Sequence, residues 1–355
     1  MAIKLQEQDF DLIKSLVTTP GLPGREALIT EKISQAIPSS DWEINQDPVG
    51  NLTARKSGQG KKLLFIAHMD EVGLIVRRIT DDGFLKVERL GGIGVHVLPG
   101  SSMELWTSKG KSLEALVGAP SAHLVNGRSQ DIEIEDLYID IGAHSKEEAR
   151  ALGVNIGDGL TWKSDLQLLN GTRIRGKALD DRLGCFALIK VATLLGDIEQ
   201  DYDIMVAFVV QEEAMLLEAA PIVRVFEPDI VIGVDGTLPF DTPDIDEPQS
   251  DLFLGKGPCI KLMDAIRGKI AYLPSWDLTR TIIRYMDESG FVYQPEVVIG
   301  LSTAVSLVPF MNSGVKTACF SLPIRYHHSA VELADVYDLE RLIEIMIDII
   351  RERVL

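Results

Sequence analysis

The pattern of apolar and polar positions divides this chain into two textures. The opening stretch "MAIKLQEQDFDLIKSL" spaces its apolar residues at helical intervals and predicts a helix to about Val17. "TTPGLPGRE" is a turn, and "EALITEKISQAI" is a second helical pattern. "KKLLFIAHMD" is a short apolar run ending in polar residues, the mark of a buried strand. From about residue 75 to 165 the texture changes to short β-type segments separated by "DDG", "LPGSS", "SKGK", "VNGR" and "IGDG". Beyond it, longer periods return. "DDRLGCFALIKVATLL" and "TRTIIRYMDESG" are helical, "YDIMVAFVVQ", "PDIVIGVD" and "TACFSLPI" are strands, and the last twenty residues form a helix. Helices alternating with apolar strands predict an α/β fold: a mixed, largely parallel sheet sandwiched by helices. The expected division is residues 1–74 plus 166–355 as one layered domain, with 75–165 inserted as a small β-barrel-like domain.

Ligands of such sheets bind beyond the carboxyl ends of the strands. Here the first strand ends in His68 and Asp70, the next in Glu212 and Glu213, the third in Asp235, and the fourth runs through "PIRYHHS" to His327 and His328. Asp180 and Asp181 open a helix. Three of only six histidines in the chain fall at these ends. Each feature alone has an ordinary explanation, such as a surface His–Asp pair, a helix cap or a turn residue. Together they supply two or three imidazoles and four or five carboxylates. That mixture suits Zn²⁺, Co²⁺ or Mn²⁺ in preference to Ca²⁺ or Mg²⁺. There are enough donors for two ions sharing one carboxylate. Two such ions activate a bridging water, whose proton needs a nearby base that is not a ligand. Adjacent Glu212 and Glu213 then have separate tasks, one on the metal and one on the water.

Composition changes this picture little. With 355 residues, the chain is long enough for about two domains. A formal net charge of −18 argues against nucleic acid or an anionic membrane surface as partner. Cys185, Cys259 and Cys319 form neither a disulfide framework nor a zinc-cysteine pattern. The N-terminal stretch does not read as a signal peptide, and no apolar run approaches the ~20 residues that span a bilayer. The expected location is the cytoplasm.

The stretches "PGLPGRE", "AHMDEVGLIV", "DLYIDIGAHSKEEARALGVNIGD", "GKALDDRLGC", "VVQEE", "DGTLPFDTP", "LGKGP" and "RYHHSAVE" span essentially the whole chain. In this order they resemble the M42 metallo-aminopeptidases, the glutamyl and tetrahedral aminopeptidase group. The resemblance implies two divalent metal ions per chain, zinc first, with cobalt or manganese as alternatives. It implies that His68, Asp180 and Asp235 hold one ion, that Asp180, Glu213 and His328 hold the other, and that Asp180 bridges. It makes Glu212 the general base and later proton donor, and Asp70 the residue that steers His68. Because the ligand histidine of the motif directly precedes serine, it selects His328 over His327. It also implies peptide substrates, attack by a metal-bridging hydroxide, a dimerisation role for the inserted domain, and a homo-oligomer such as the tetrahedral dodecamer. Two departures bear on activity and substrate choice. Relatives continue Val-Gly-Leu-Arg-Gly-Ala after the glutamates, where this chain has "AMLLEAA". That puts Met215 at a glycine position and Glu218 or Ala219 at another. Near residue 300, Thr303 replaces an aspartate. The alternatives on the same scaffold are a related deacylase or carboxypeptidase-type hydrolase, and a catalytically impaired assembly or binding protein.

Overall fold

The computed structural model describes residues 3–120, 132–198, 200–266 and 270–355. Helices α1 (Glu7–Thr18) and α2 (Ala27–Ala36) precede strands β1 (Glu43–Gln46), β2 (Leu52–Lys56) and β3 (Lys62–His68). The chain then enters a barrel of β4 (Gly73–Ile79), β5 (Leu85–Leu90), β6 (Ser102–Trp106), β7 (Ser112–Gly118), β8 (Tyr138–Asp140) and β9 (Gly159–Trp162), with the short helix α3 (Lys146–Ala151). Strands β10 (Gln167–Leu169) and β11 (Arg173–Gly176) lead to helix α4 (Leu179–Leu194) and strand β12 (Asp203–Val209). Helix α5 (Ala220–Phe226) follows, then β13 (Ile230–Thr237), β14 (Cys259–Ile266) and β15 (Ile270–Tyr272). The chain ends with α6 (Trp276–Glu288), β16 (Gln294–Ile299), β17 (Lys316–Pro323), β18 (Glu332–Asp335) and α7 (Val336–Arg351).

Nine strands form the main sheet, in the order β1-β2-β12-β3-β13-β17-β14-β15, with β16 on β14. The parallel arrangement is narrower than the apolar runs predicted. Only β12, β3, β13 and β17 form a parallel centre, with β14–β16 a further parallel pair. Strands β1 and β2 on one flank, and β14 and β15 on the other, pair antiparallel. The central strands are nearly unbroken apolar runs joined through helical crossovers, which cover both faces as a parallel sheet requires. The period of two in β3 assigns those faces. Leu63, Phe65 and Ala67 join a core with α1, α2, α4, α6 and α7, while Leu64 and Ile66 join a smaller core with α5.

The barrel closes in the order β4-β5-β8-β7-β6-β9 around its own core, from Val72 and Leu74 to Leu160 and Trp162. The third sheet, β10-β11-β18, pairs Gly176 with Glu332. That pairing sets the turn into α4 beside the end of β17. No helix among the described residues is long and apolar enough to cross a membrane.

Candidate active site

The parallel centre brings its carboxyl ends to one place. Register sets His68 of β3 beside Val209 of β12, and Asp235 of β13 beside Ser321 of β17. The chain leaves β12 through Gln211, at φ 61°, into a single 3₁₀ turn over Glu212–Ala214. That turn, not an extended strand, lets adjacent glutamates face one cavity. Its backbone N–H groups are captured by carboxylates from elsewhere. Gln211 N–H donates to Glu26 at 3.1 Å, Glu212 N–H to Asp70 Oδ1 at 3.0 Å, and Glu213 N–H to Asp70 Oδ2 at 3.1 Å. A cavity of about 300 Å³ is lined by Asp180, Glu212, Glu213, Asp235, His327 and His328, with Gly92 of the barrel at its edge.

All seven residues singled out for the site meet here. His68 Nε2 lies 3.3 Å from Asp180 Oδ1 and 3.9 Å from Asp235 Oδ1. His328 Nε2 lies 3.3 Å from Asp180 Oδ2 and 3.1 Å from Glu213 Oε1. Asp70 Oδ1 stands 3.5 Å from His68 Nδ1, a contact longer than a hydrogen bond. Asp70 therefore touches the ring electrostatically, while its hydrogen bonds hold the glutamate turn. Asp180 and Asp181 separate their functions at the start of α4, where both have non-helical backbone angles. Asp180 faces the cavity, while Asp181 Oδ1 accepts the Gly184 N–H at 3.1 Å and caps the helix.

The electrostatics are those of a crowded anionic centre. Burial pushes Glu212 far above the carboxylate range. His68 opposes that push, and the Asp235, Glu213 and Glu218 charges add to it. Burial and the Asp180 charge push Asp235 up to about 8. Burial would also raise Asp180, but His327, His328 and His68 outweigh it and hold this carboxyl well below its ordinary value. His327 goes the other way: burial lowers it to about 4, against the pull of Asp180.

A divalent ion fits this donor set. Glu212 Oε1, Glu213 Oε1 and His327 Nε2 are buried without a hydrogen-bond partner, and such groups are costly unless something satisfies them. Donors about 2.0–2.1 Å from one zinc ion in a tetrahedron stand roughly 3.3–3.4 Å apart. The contacts of Asp180 with His68 and with His328, both 3.3 Å, have that length. The set is mixed imidazole and carboxylate, the preference of zinc and its first-row neighbours. Donor atoms of His68, Asp180 and Asp235 cluster within 4.8 Å of one another, as do those of Asp180, His327 and His328.

Other supporting residues escaped the sequence reading. Glu332 is buried and accepts the Asp180 N–H at 3.1 Å and the His328 N–H at 2.8 Å, and burial with the Asp180 charge raises it to about 8. Glu71 accepts the Gly21 N–H at 3.0 Å and pairs with Lys177 at 2.5 Å, tying "PGLPG" to the turn before Asp180. His328 Nδ1 meets the Gly92 carbonyl at 3.1 Å, joining barrel to site. The only available signal was position within the "AHMDEVGLIV", "GKALDDRLGC" and "RYHHSAVE" stretches, since partners lie as far apart as Gly92 and His328.

The departures also find places. Met215 has φ −166°, an extended angle any residue adopts, so losing glycine there costs nothing in backbone freedom. Thr303 is buried, its N–H donating to Ser306 Oγ at 2.9 Å, and the next N–H, of Ala304, points to Asp235 Oδ2 at 3.4 Å. Glu218 is buried with neither carboxylate oxygen hydrogen-bonded.

Gly236 leaves no spare room. A Cβ there would lie 2.7 Å from His327 Nε2 and 2.8 Å from Asp180 Oδ1. Gly236→Ala should therefore weaken Zn²⁺ binding, overpacking costing about 1–3 kcal/mol, roughly 5–150-fold in affinity. Calorimetric titration of the metal-free protein measures this, and unchanged affinity would show that the site tolerates a methyl group.

The M42 glutamyl aminopeptidase family model matches residues 50–345. The chain is 32% identical to the putative aminopeptidase SgcX of Escherichia coli over 98% of this chain and 93% of that one. Among solved structures, the aminopeptidase APDkam598 from Desulfurococcus kamchatkensis is similar with a TM-score of 0.91 at 29% identity, covering 97% of this chain and 95% of that one. The TET1 peptidase of Pyrococcus horikoshii is similar with a TM-score of 0.85 at 34% identity, covering 97% and 99%. A mixed α/β fold with a closed barrel, a cavity of imidazole and carboxylate donors, and a family match over most of the chain agree, and the chain belongs to the M42 glutamyl aminopeptidase family as a peptidase.

Proposed function

We infer that this chain is a metal-dependent aminopeptidase that uses two divalent ions, zinc first, to release N-terminal residues from peptides. The observation carrying this reading is the placement of Asp180 between imidazoles on both carboxylate oxygens, His68 on one and His328 on the other. His68, Asp180 and Asp235 would hold one ion, and Asp180, Glu213 and His328 the other. When bound, such ions polarise a carbonyl and lower the pKa of a coordinated water. Glu212 lines the same cavity without being needed as a ligand, and its raised pKa suits a group that takes a proton and returns it to the leaving amine. Asp70 fixes the turn that carries Glu212 and Glu213, and its charge near Nδ1 holds the His68 ring with Nε2 toward Asp180 and Asp235, the residues that would share an ion with it.

The proposed division assigns residues 1–74 and 166–355 to catalysis and 75–165 to dimerisation. The similar Pyrococcus horikoshii peptidase can assemble into a tetrahedron or a large octahedral shell. We extend self-assembly to this chain as a homo-oligomer, with the tetrahedral dodecamer as the specific form. The test of the reaction is a panel of aminoacyl anilides with free and N-acetylated termini. Cleavage confined to free amines, abolished by chelation, is expected. Equal cleavage of the acetylated series would replace the aminopeptidase reading with a deacylase.

A further inference from the structure

His327 has no part in the ligand set above, yet its surroundings are those of a ligand. Its Nε2 lies 3.1 Å from Asp180 Oδ2, the same oxygen that stands 3.3 Å from His328 Nε2. The two rings are 4.6 Å apart between centroids and tilted by 31°. The His327 side chain is only 10% exposed, lines the cavity, and its Nε2 makes no aligned hydrogen bond despite the short approach. Two imidazole nitrogens converging on one carboxylate oxygen at 3.1 and 3.3 Å match the spacing of donors around a common zinc ion, roughly 3.3–3.4 Å. A buried, unpartnered ring nitrogen is costly, and coordination removes that cost.

The backbone is arranged for this convergence. Consecutive side chains in an extended strand point to opposite faces. Here Tyr326, before His327, has φ 59°, and His328 itself has φ 56°. Non-glycine residues rarely adopt that region and do so at a cost. The turn sends both imidazoles to the same side. Gly236, with no side chain, leaves the space His327 Nε2 occupies.

We propose that His327 Nε2 is a further ligand to the ion held by Asp180, Glu213 and His328. This rests on the two-ion reading and extends it. The pair of ions then has three imidazoles instead of two, which shifts preference toward zinc and cobalt and away from manganese.

The probe is Co²⁺ alone, added to metal-free full-length protein. X-ray absorption of the wild type at two equivalents should count three imidazoles per two ions, and a count of two would overturn the assignment. His327→Gln keeps a hydrogen-bond donor but no imidazole. It should shift the visible absorption of bound Co²⁺ and weaken one of the two equivalents at least about tenfold. Wild-type spectrum and affinity in that variant would make His327 a hydrogen-bonding group and overturn the proposal. The wild-type count does not depend on whether the variant folds. Wild-type protein that takes up no Co²⁺ would refute the two-ion reading itself, and this inference with it, so the two failures are told apart.

Discussion

Glu212→Gln is expected to leave a folded, metal-loaded protein whose kcat on an aminoacyl anilide falls by about 10²–10⁴-fold, the usual contribution of a positioned general base. The substitution is close to isosteric and keeps the turn. The hydrogen bonds that hold this segment run from the Glu212 and Glu213 N–H groups to Asp70, not from the side chain. Glu212 Oε1 is buried without a hydrogen-bond partner, so no structural bond through that oxygen is broken. An amide at this position removes the basic oxygen and one of the anions that crowd Asp235. Metal content should therefore stay at the wild-type level while turnover collapses and KM changes little. Metal content measured beside steady-state kinetics checks this. Wild-type kcat in the loaded variant would remove Glu212 from the chemistry.

Asp180→Asn is expected to have the other large effect, on binding. Asp180 Oδ1 faces His68 and Oδ2 faces His328, so both proposed ions depend on its two oxygens. An asparagine offers one weak oxygen and no charge. Loss of an outer partner costs about 10–100-fold in metal affinity, and loss of the shared ligand should exceed that. The consequence extends to stability. In the wild type, an ion at a thousandfold excess over its Kd stabilises the folded state by about 4 kcal/mol for a single site. Saturating Zn²⁺ should thus raise the thermal midpoint of the wild type clearly, and that of Asp180→Asn little. The Asp180 N–H bond to Glu332 uses the backbone and survives the change, so the metal-free variant should remain folded. An equal Zn²⁺ shift in both proteins would show that Asp180 is not shared.

Much of this was legible in the sequence because the parallel centre is written as apolar runs. Strands β3, β12, β13 and β17 are nearly unbroken hydrophobic segments, and each delivers a carboxylate or histidine at its carboxyl end. Strands β14 and β16 were not legible, because their inward faces carry charge. Lys261 is fully buried 2.6 Å from Glu296 and 3.2 Å from Asp264. Such a cluster is stable only when paired across strands, and that pairing has no one-dimensional signature. The antiparallel flanks were missed for the same reason: strand direction follows from connections, not from composition. Helix α5 was missed because it is short, and its apolar face, Ile222, Val223 and Phe226, covers the less protected side of the sheet.

At the site, residue type was readable from the residues themselves, and division of labour came only from the family resemblance. The residues alone left the pair at 180 and 181 open and the family resemblance chose Asp180; in the structure Asp180 faces the cavity and Asp181 caps the helix. The two histidines before Ser329 were equally ambiguous, and selecting His328 left His327 aside, although both rings reach Asp180. Glu332 shows why supporting residues stay hidden, and for Asp70, singled out for its effect on His68, it was the hold on the glutamate turn that stayed hidden. Each acts through backbone N–H groups of distant site residues, a contact that any residue at those positions would supply.

The most direct measurement is a Zn²⁺ titration of metal-free protein, followed by binding and by release of anilide from a free-amine substrate in the same samples. Activity is predicted to start at background, rise with added Zn²⁺ and level off at two equivalents per chain, with the N-acetylated substrate untouched throughout. Full activity in the chelated protein, or saturation of binding and turnover at one equivalent, would contradict a two-ion aminopeptidase.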